Sequence, residues 1–563
     1  MRYYFIIFIV AILFRFSYLN LVPNAISGDE LHYITTAKFI TLTGHDISGT
    51  WNPWSLLWFR YPPTEHQAEL PYLLHLLSGA RSPFSLFLIK LPFAILSVGI
   101  VILLTGIATE LFGSLAGITT GTVAAINPWL IVMGRTGYEA TPAMFFYLLA
   151  LYLLLKTTKR NILWAGVPLI LAFYSYIGTK IIILPFTILA CALTYIKNDK
   201  KYLRLYITLI ICALLVTLGF FYLTKTDQAS RLGDLFLPGS RIVAQDVNAI
   251  RQTSIWSPLM TLVVNKYVLY AETILHKFFR AISPSYLFVD GDQFFLPTRQ
   301  GFFYYIDALF LIPGIVFISK KKRAYAWILL SLLIIATIPQ LASTTIGDFS
   351  IHLTMLFPLL LIPIGAGIAW MIGYTPKYLR PGIIFVIICV YGVSAAGFSQ
   401  TYFYRAPLVG YADFPKRILT NYLRLSQSRN IPVVVYSSST QETFQKYMLY
   451  ADVITKEYIP ALQTISSSES IKLNGITFLP CQSPAAVPAG TTSITDALCG
   501  KPASSHHQSI TTLTDGGENY IIEEDRVCNT YALKRYPQNI RLRAFAIEQL
   551  SESEFCETFI SQR

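Results

Sequence analysis

Apolar stretches of roughly 20 residues, each long enough to cross a hydrocarbon core of about 30 Å, recur along the first 400 residues of the chain. They fall near 3–22, 86–109, 115–132, 142–156, 162–177, 181–196, 206–223, 301–318, 324–341, 353–371 and 381–398. This pattern predicts a polytopic α-helical membrane protein with about eleven transmembrane helices. Beyond residue 399 the pattern changes. Ile431-Pro-Val-Val-Val-Tyr436 reads as a buried strand, Thr440–Tyr450 as a helix, and Ile476–Leu479, Tyr520–Glu523 and Thr530–Lys534 as further strands. Residues 481–518 are rich in Ser, Thr, Pro, Ala and Gly and predict a loop pinned by cysteines. The chain therefore divides into a membrane domain over 1–399, with large loops at 23–85 and 224–300, and a mixed α/β domain over 400–563.

Composition agrees with that division. Hydrophobic residues make up 54% and charged residues 13%, about half the charged share of a soluble domain. The basic residues are unevenly placed. Arg2 and the connections Lys156–Arg160, Lys197–Arg204, Lys320–Arg323 and Lys377–Arg380 hold 14 Lys and Arg, whereas the short opposite loops hold Arg135 and Lys180. Since short cytoplasmic loops carry the basic excess, both large loops and the C-terminal domain are expected outside the cytoplasm. Residues 400–563 balance 15 basic against 15 acidic residues, so the formal charge of +13 belongs to the inner loops. Topology and anionic membrane lipid account for it, and no nucleic-acid partner is expected.

Val22-Pro-Asn-Ala25 is a poor cleavage site, which favours a retained first helix. Cys191, Cys212 and Cys389 fall in apolar spans and are expected to behave as small buried hydrophobes. Cys481, Cys499, Cys528 and Cys556 lie in the hydrophilic region, where an even number outside the cytoplasm predicts at least one disulfide and leaves three pairings open.

Candidate chemistry gathers in the outer loops. Asp29 and Glu30 stand just past the first span, in a loop that also carries His32, Arg60, Glu65, His66, Glu69 and three interfacial tryptophans, Trp51, Trp54 and Trp58. The short loop Gly134-Arg-Thr-Gly-Tyr-Glu-Ala-Thr-Pro142 adds Arg135 and Glu139. Carboxylates in two outer loops, with cations nearby, suit an enzyme that deprotonates a hydroxyl while holding an anionic leaving group. Capping of the next helix by Asp29 and a local Arg135–Glu139 ion pair are the structural alternatives. Lys90 and Glu110 lie near span ends, where they can snorkel. An ion-coupled transporter or flippase would place more ionisable groups at mid-span, and a passive scaffold would leave the paired carboxylates without a purpose.

The order Gly28-Asp-Glu30, Arg135-Thr-Gly-Tyr-Glu139, Tyr174-Ser-Tyr-Ile-Gly-Thr-Lys180 and Ser283-Pro-Ser-Tyr-Leu-Phe-Val-Asp-Gly-Asp292 resembles the polyprenyl-phosphate-sugar-dependent glycosyltransferases, among them protein mannosyltransferases and aminoarabinose lipid A transferases. The resemblance implies a C-type glycosyltransferase fold over about residues 1–400. It also implies inverting transfer of a sugar from a polyprenyl-phosphate carrier to an acceptor hydroxyl on a glycan, lipid or protein. Asp29 matches the first-loop general base, with Glu30 its neighbour, and Glu139 stands where many relatives have Asp. Tyr61-Pro-Pro63 replaces the Lys-Pro-Pro of aminoarabinose transferases. Arg135, Lys180, Arg60 and Arg299 are the candidate ligands of the donor phosphate, Arg being suited to hold two phosphate oxygens at once. No cofactor and no metal are expected, because protein cations can match a monophosphate leaving group.

Overall fold

The computed structural model describes residues 2–58, 68–80, 83–198, 200–224, 240–292, 294–296, 300–321, 323–343, 349–409, 413–460, 470–481, 490–500, 507–511, 518–531 and 540–562. Its first seven helices are α1 (Arg2–Phe16), α2 (Gly28–Thr43), α3 (Glu69–Leu77), α4 (Leu86–Phe112), α5 (Ser114–Ile126), α6 (Pro128–Met133) and α7 (Ala140–Leu155). There follow α8 (Lys159–Trp164), α9 (Gly166–Phe173), α10 (Ile183–Asn198), α11 (Leu203–Thr224), α12 (Ser240–Gln252) and α13 (Lys266–Ala281). The bundle closes with α14 (Tyr305–Lys321), α15 (Arg323–Ala342), α16 (Leu356–Tyr374) and α17 (Arg380–Ser399).

Each of the eleven expected spans has a helix or a helix pair, but among the described residues six are long and apolar enough to cross a membrane. The shortfall has local causes. The span expected at 115–132 breaks where Asn127 caps Leu130 N–H and Pro128 opens α6, a proline suited to the first helical position. The span at 162–177 divides at Ala165 into α8 and α9. The first helix stops at Phe16, not near 22, and the carbonyls of Phe14 and Arg15 in its last turn and of Val22 beyond it all accept from Arg135.

At the centre lies α16, buried along most of its length against α5 and α14. A Cβ on Gly365 would come within 2.1 Å of Thr120 Oγ1 and 2.5 Å of its backbone, so only glycine admits this crossing. Small residues here serve helix packing. The cysteine expectation is corrected in part: Cys191 is buried, but Cys212 and Cys389 lie on exposed faces of α11 and α17. Those faces are apolar and would meet lipid, which a thiol tolerates as readily as a protein core.

Polar contacts sort the helix ends into two sets. At one end Glu110 of α4 pairs with Lys156 after α7 and Lys197 of α10, both at 2.7 Å, and Lys321 Nζ donates to Phe112 O at 2.8 Å. Contacts between residues 30 and 137, 69 and 180, 176 and 352, and 292 and 350 gather at the other end. Lys156, Lys197 and Lys321, from three of the four basic connections, thus meet at one end of the bundle.

The C-terminal unit holds α18 (Phe414–Ser428), α19 (Thr440–Tyr450), α20 (Glu552–Phe559) and one sheet of seven strands. These are β1 (Val433–Ser437), β2 (Ile471–Leu473), β3 (Ile476–Pro480), β4 (Thr492–Asp496), β5 (Gln508–Thr511), β6 (Glu518–Glu523) and β7 (Ile560–Gln562), in the order β2-β3-β1-β4-β6-β5-β7. Strand β1 runs parallel to β3 and β4, and the other pairings are antiparallel. The expected helix and three of the expected strands are present. The strand expected at 530–534 lies mostly outside the described residues, and 530–531 are not extended in a sheet. The expected loop at 481–518 instead contains β4 and β5. Thr492-Ser-Ile-Thr-Asp496 hides its strand in polar side chains, yet Thr492 and Ser493 are buried and bond to Glu524 O and the Glu523 carboxylate. All four cysteines of this unit are paired, as Cys481–Cys499 and Cys528–Cys556.

Candidate active site

The first acidic pair separates into two environments because of one helix cap. Ser27 caps α2, accepting Glu30 N–H at 3.3 Å, while the Glu30 carboxylate accepts Ser27 N–H at 2.9 Å. This reciprocal box satisfies two donors that a helix start leaves open. Glu30 is thereby turned inward, where its other oxygen accepts the N–H of Gly137 in the second outer loop. Burial holds the Glu30 carboxyl above its usual range, opposed by the Gly137 and Ser27 bonds and by the charge of Lys90. Asp29, one position earlier, is exposed. The capping work falls to Ser27 and Glu30, not Asp29.

The second outer loop comes close because Gly137 lacks a side chain. A Cβ there would lie 3.2 Å from Glu30 Oε1 and 3.3 Å from His75 Cε1. Two residues on, Glu139 precedes α7, half-buried and making no side-chain cap. Burial pushes its carboxyl well above the ordinary range, the negative charge of Asp29 adds to the shift, and Lys180 opposes it. The structure thus brings Asp29, Glu139 and Lys180 within one electrostatic neighbourhood.

The cations are committed in ways the sequence does not disclose. Lys180 Nζ lies 2.8 and 3.1 Å from the two oxygens of Glu69, and the pair is almost wholly buried, 2% and 0% exposed. Phe173, Tyr174 and Phe220 surround the ammonium at 5.2–5.8 Å from the ring centres. Arg135 is fully buried, its guanidinium donating to the carbonyls of Phe14, Arg15 and Val22 at the end of α1 and just past it, and lying 4.8 Å from the centre of the Phe403 ring. It packs against the end of α1. Lys90 does not snorkel: it is buried and donates to Pro23 O at 2.5 Å. Arg60, Glu65, His66, Arg299 and the turn Tyr61–Pro63 lie outside the described residues. Of the tryptophans, Trp51 is buried against Tyr72, and Trp54 is exposed.

A polar chain that sequence reasoning missed adjoins the acids. Tyr176 OH is 2.6 Å from His352 Nδ1, His352 Nε2 is 3.3 Å from Ser343 Oγ, and Lys277 Nζ donates to Ser343 O. Tyr176 is buried on the side of Glu139 and Asp29. His352 is kept neutral, its pKa lowered to about 4 by burial and then by Lys277. The turn bearing His352 is anchored by Asp292, which accepts from Ser350 N at 2.8 Å and Ser350 Oγ at 2.7 Å. Tyr176 lies inside the Tyr174–Lys180 motif, but a lone histidine between apolar residues gave no signal of its partner. Among the described residues, no three His, Cys, Asp or Glu side chains converge to hold a metal ion.

No protein-family model and no curated protein matches the chain. Among solved structures it is similar to the oligosaccharyltransferase AglB from Archaeoglobus fulgidus, in complex with an inhibitory peptide and a dolichol-phosphate, at 13% identity over 88% of this chain and 69% of that one, with a TM-score of 0.46. It is likewise similar to ArnT from Cupriavidus metallidurans bound to undecaprenyl phosphate, at 10% identity over 92% of this chain and 97% of that one, with a TM-score of 0.47. The apo state of ArnT gives 11% identity, coverage of 92% and 96%, and a TM-score of 0.48. The functional argument therefore stands on the chain's own residues.

Proposed function

We propose that the chain is an inverting glycosyltransferase that moves a sugar from a polyprenyl-phosphate carrier to an acceptor hydroxyl at the outer face of a membrane. The observation that carries this reading is the pairing of an exposed Asp29 with a half-buried Glu139 from a separate loop, in one field with Lys180. Two carboxyls in contrasting environments suit two roles. Asp29 takes the proton of the acceptor hydroxyl as that oxygen forms its bond to the anomeric carbon. The bond to phosphate breaks on the opposite face, and the lipid phosphate departs with the electron pair. Glu139 retains its proton above the ordinary carboxylate range and orients the acceptor or the sugar as a hydrogen-bond donor. Glu30 supports both loops through Ser27 and Gly137.

The leaving phosphate needs a cation that is not already neutralised. Lys180 is held by the Glu69 carboxylate, whereas Arg135 and Lys277 bond carbonyl oxygens and keep their charge; Lys277, bonded to Ser343 O beside the Tyr176–His352 chain, joins Arg135, Arg60 and Arg299 as a candidate. The transfer uses no cofactor, and protein cations supply the charge that a metal would. Membrane lipids surround the bundle, and the C-terminal unit lies on the same outer side as the site. The test is release of free polyprenyl phosphate by the purified protein in vesicles carrying a panel of synthetic polyprenyl-phosphate sugars, read by mass spectrometry. Lys277→Ala should raise the donor concentration needed for half-maximal rate by roughly 10- to 150-fold, the worth of one charge-assisted contact of about 1.5–3 kcal/mol. An unchanged donor titration removes Lys277 from the phosphate site.

A further inference from the structure

The segment leading into α2 has its polar groups satisfied from the far end of the sequence. Tyr450 OH, at the end of α19, accepts the N–H of Ile26 at 3.0 Å. Arg417 on α18 donates to Asn24 O at 2.6 Å while its Nε and second amino group hold the Glu548 carboxylate at 2.7 and 2.5 Å. The Asn24 side chain donates to Pro407 O at 3.0 Å, and Lys38 further along α2 pairs with Asp452 at 2.7 Å. Apolar packing follows the same line. Ile26, Leu31, Ile34 and Phe39 share one core with Tyr422, Tyr447 and the C-terminal sheet, and the Tyr450 ring meets Phe84 edge-on at 5.1 Å.

The placement of residues 24–26 decides where Ser27 can cap α2 and therefore where Asp29 stands. A backbone N–H and C=O buried there must find partners, and both partners come from the C-terminal unit. We propose that this unit is a positioning part of the transfer site, Tyr450 and Arg417 fixing Asp29 through Asn24–Ile26. The proposal rests on Asp29 being the base; neither residue touches the reacting atoms. It makes the C-terminal unit inseparable from activity.

The decisive variant is Tyr450→Phe in the full-length protein, which keeps the ring on Phe84 and removes only the acceptor of Ile26 N–H. Hydrogen exchange in peptides covering 24–31 should rise by at least about tenfold while the melting temperature moves little. Turnover should fall about tenfold, with donor and acceptor KM within about twofold, because a small misplacement of a reacting group costs rate and not binding. Arg417→Lys, which retains a charge toward Glu548, should give a smaller change of the same kind. Unaltered exchange at 24–31, or unaltered turnover in an assay where Asp29→Asn is inactive, overturns the proposal. If the wild-type protein transfers no sugar from any donor, the transferase reading fails, and the exchange measurement alone then decides whether Tyr450 holds the segment.

Discussion

The two ends of the helix bundle use the same residue types to opposite effect. At one end a single carboxylate, Glu110, 25% exposed, is shared by Lys156 and Lys197, so cations are in excess and solvent is close. At the other, Glu30, Glu69 and Glu139 are withdrawn from water with Asp29 at the mouth, and Lys180 is committed to Glu69. The first arrangement needs no more than topology to explain it. The second raises the pKa of its buried carboxyls through burial, the kind of perturbation that clusters at functional sites.

The largest expected effect lies in the buried pair. Glu69→Ala leaves the Lys180 ammonium without its partner among three aromatic rings and should cost about 3–5 kcal/mol of stability, because an uncompensated buried charge is strongly destabilising. Thermal or chaotrope denaturation in detergent checks it. A loss below about 1 kcal/mol would mean that water reaches Lys180 and that the outer end is not the dry site described.

A second test reads the proton on Glu139. Its folded-state pKa lies above the unfolded value of about 4.3, so the folded protein binds more protons in the interval between them. This contribution to stability is fully present below the unfolded value and is lost as pH rises through the folded one. Glu139→Gln should flatten that loss across the interval that opens near pH 4.3. An unchanged pH profile of stability would place Glu139 in water. The smallest effect belongs to the inner end: Glu110→Ala should change stability by about 0–1 kcal/mol, as for a partly exposed ion pair. A larger loss would erase the contrast between the ends.

How much of this could be read in the sequence depended on the range of each interaction. Spans and their alternation were legible because twenty apolar residues and a run of lysines are local signals, and Thr440–Tyr450 was placed to the residue by its helical periodicity. Strand β4 was not, since Thr and Ser buried by a neighbouring strand look like loop residues until the sheet is assembled. Asp29, Glu139 and Lys180 were legible as charges in outer loops. That Glu69 would claim Lys180 across 111 residues, or that His352 would meet Tyr176 across 176, is decided by tertiary packing alone. That Arg135 would donate to the carbonyls of Phe14, Arg15 and Val22 is decided in the same way, since a surface arginine and one that receives a helix end are identical in one dimension.

The central claim is that the ionised oxygen of Asp29 accepts the proton of the acceptor hydroxyl. The measurement that tests it most directly is the transfer rate of Asp29→Asn with donor binding followed in parallel. Since Ser27 and Glu30 form the cap of α2, the substitution leaves the local fold intact and removes only the base. General-base assistance is worth about 10²–10⁴-fold, so the variant should bind donor lipid normally and transfer at least about a hundredfold more slowly. Near-normal turnover by Asp29→Asn would contradict the account.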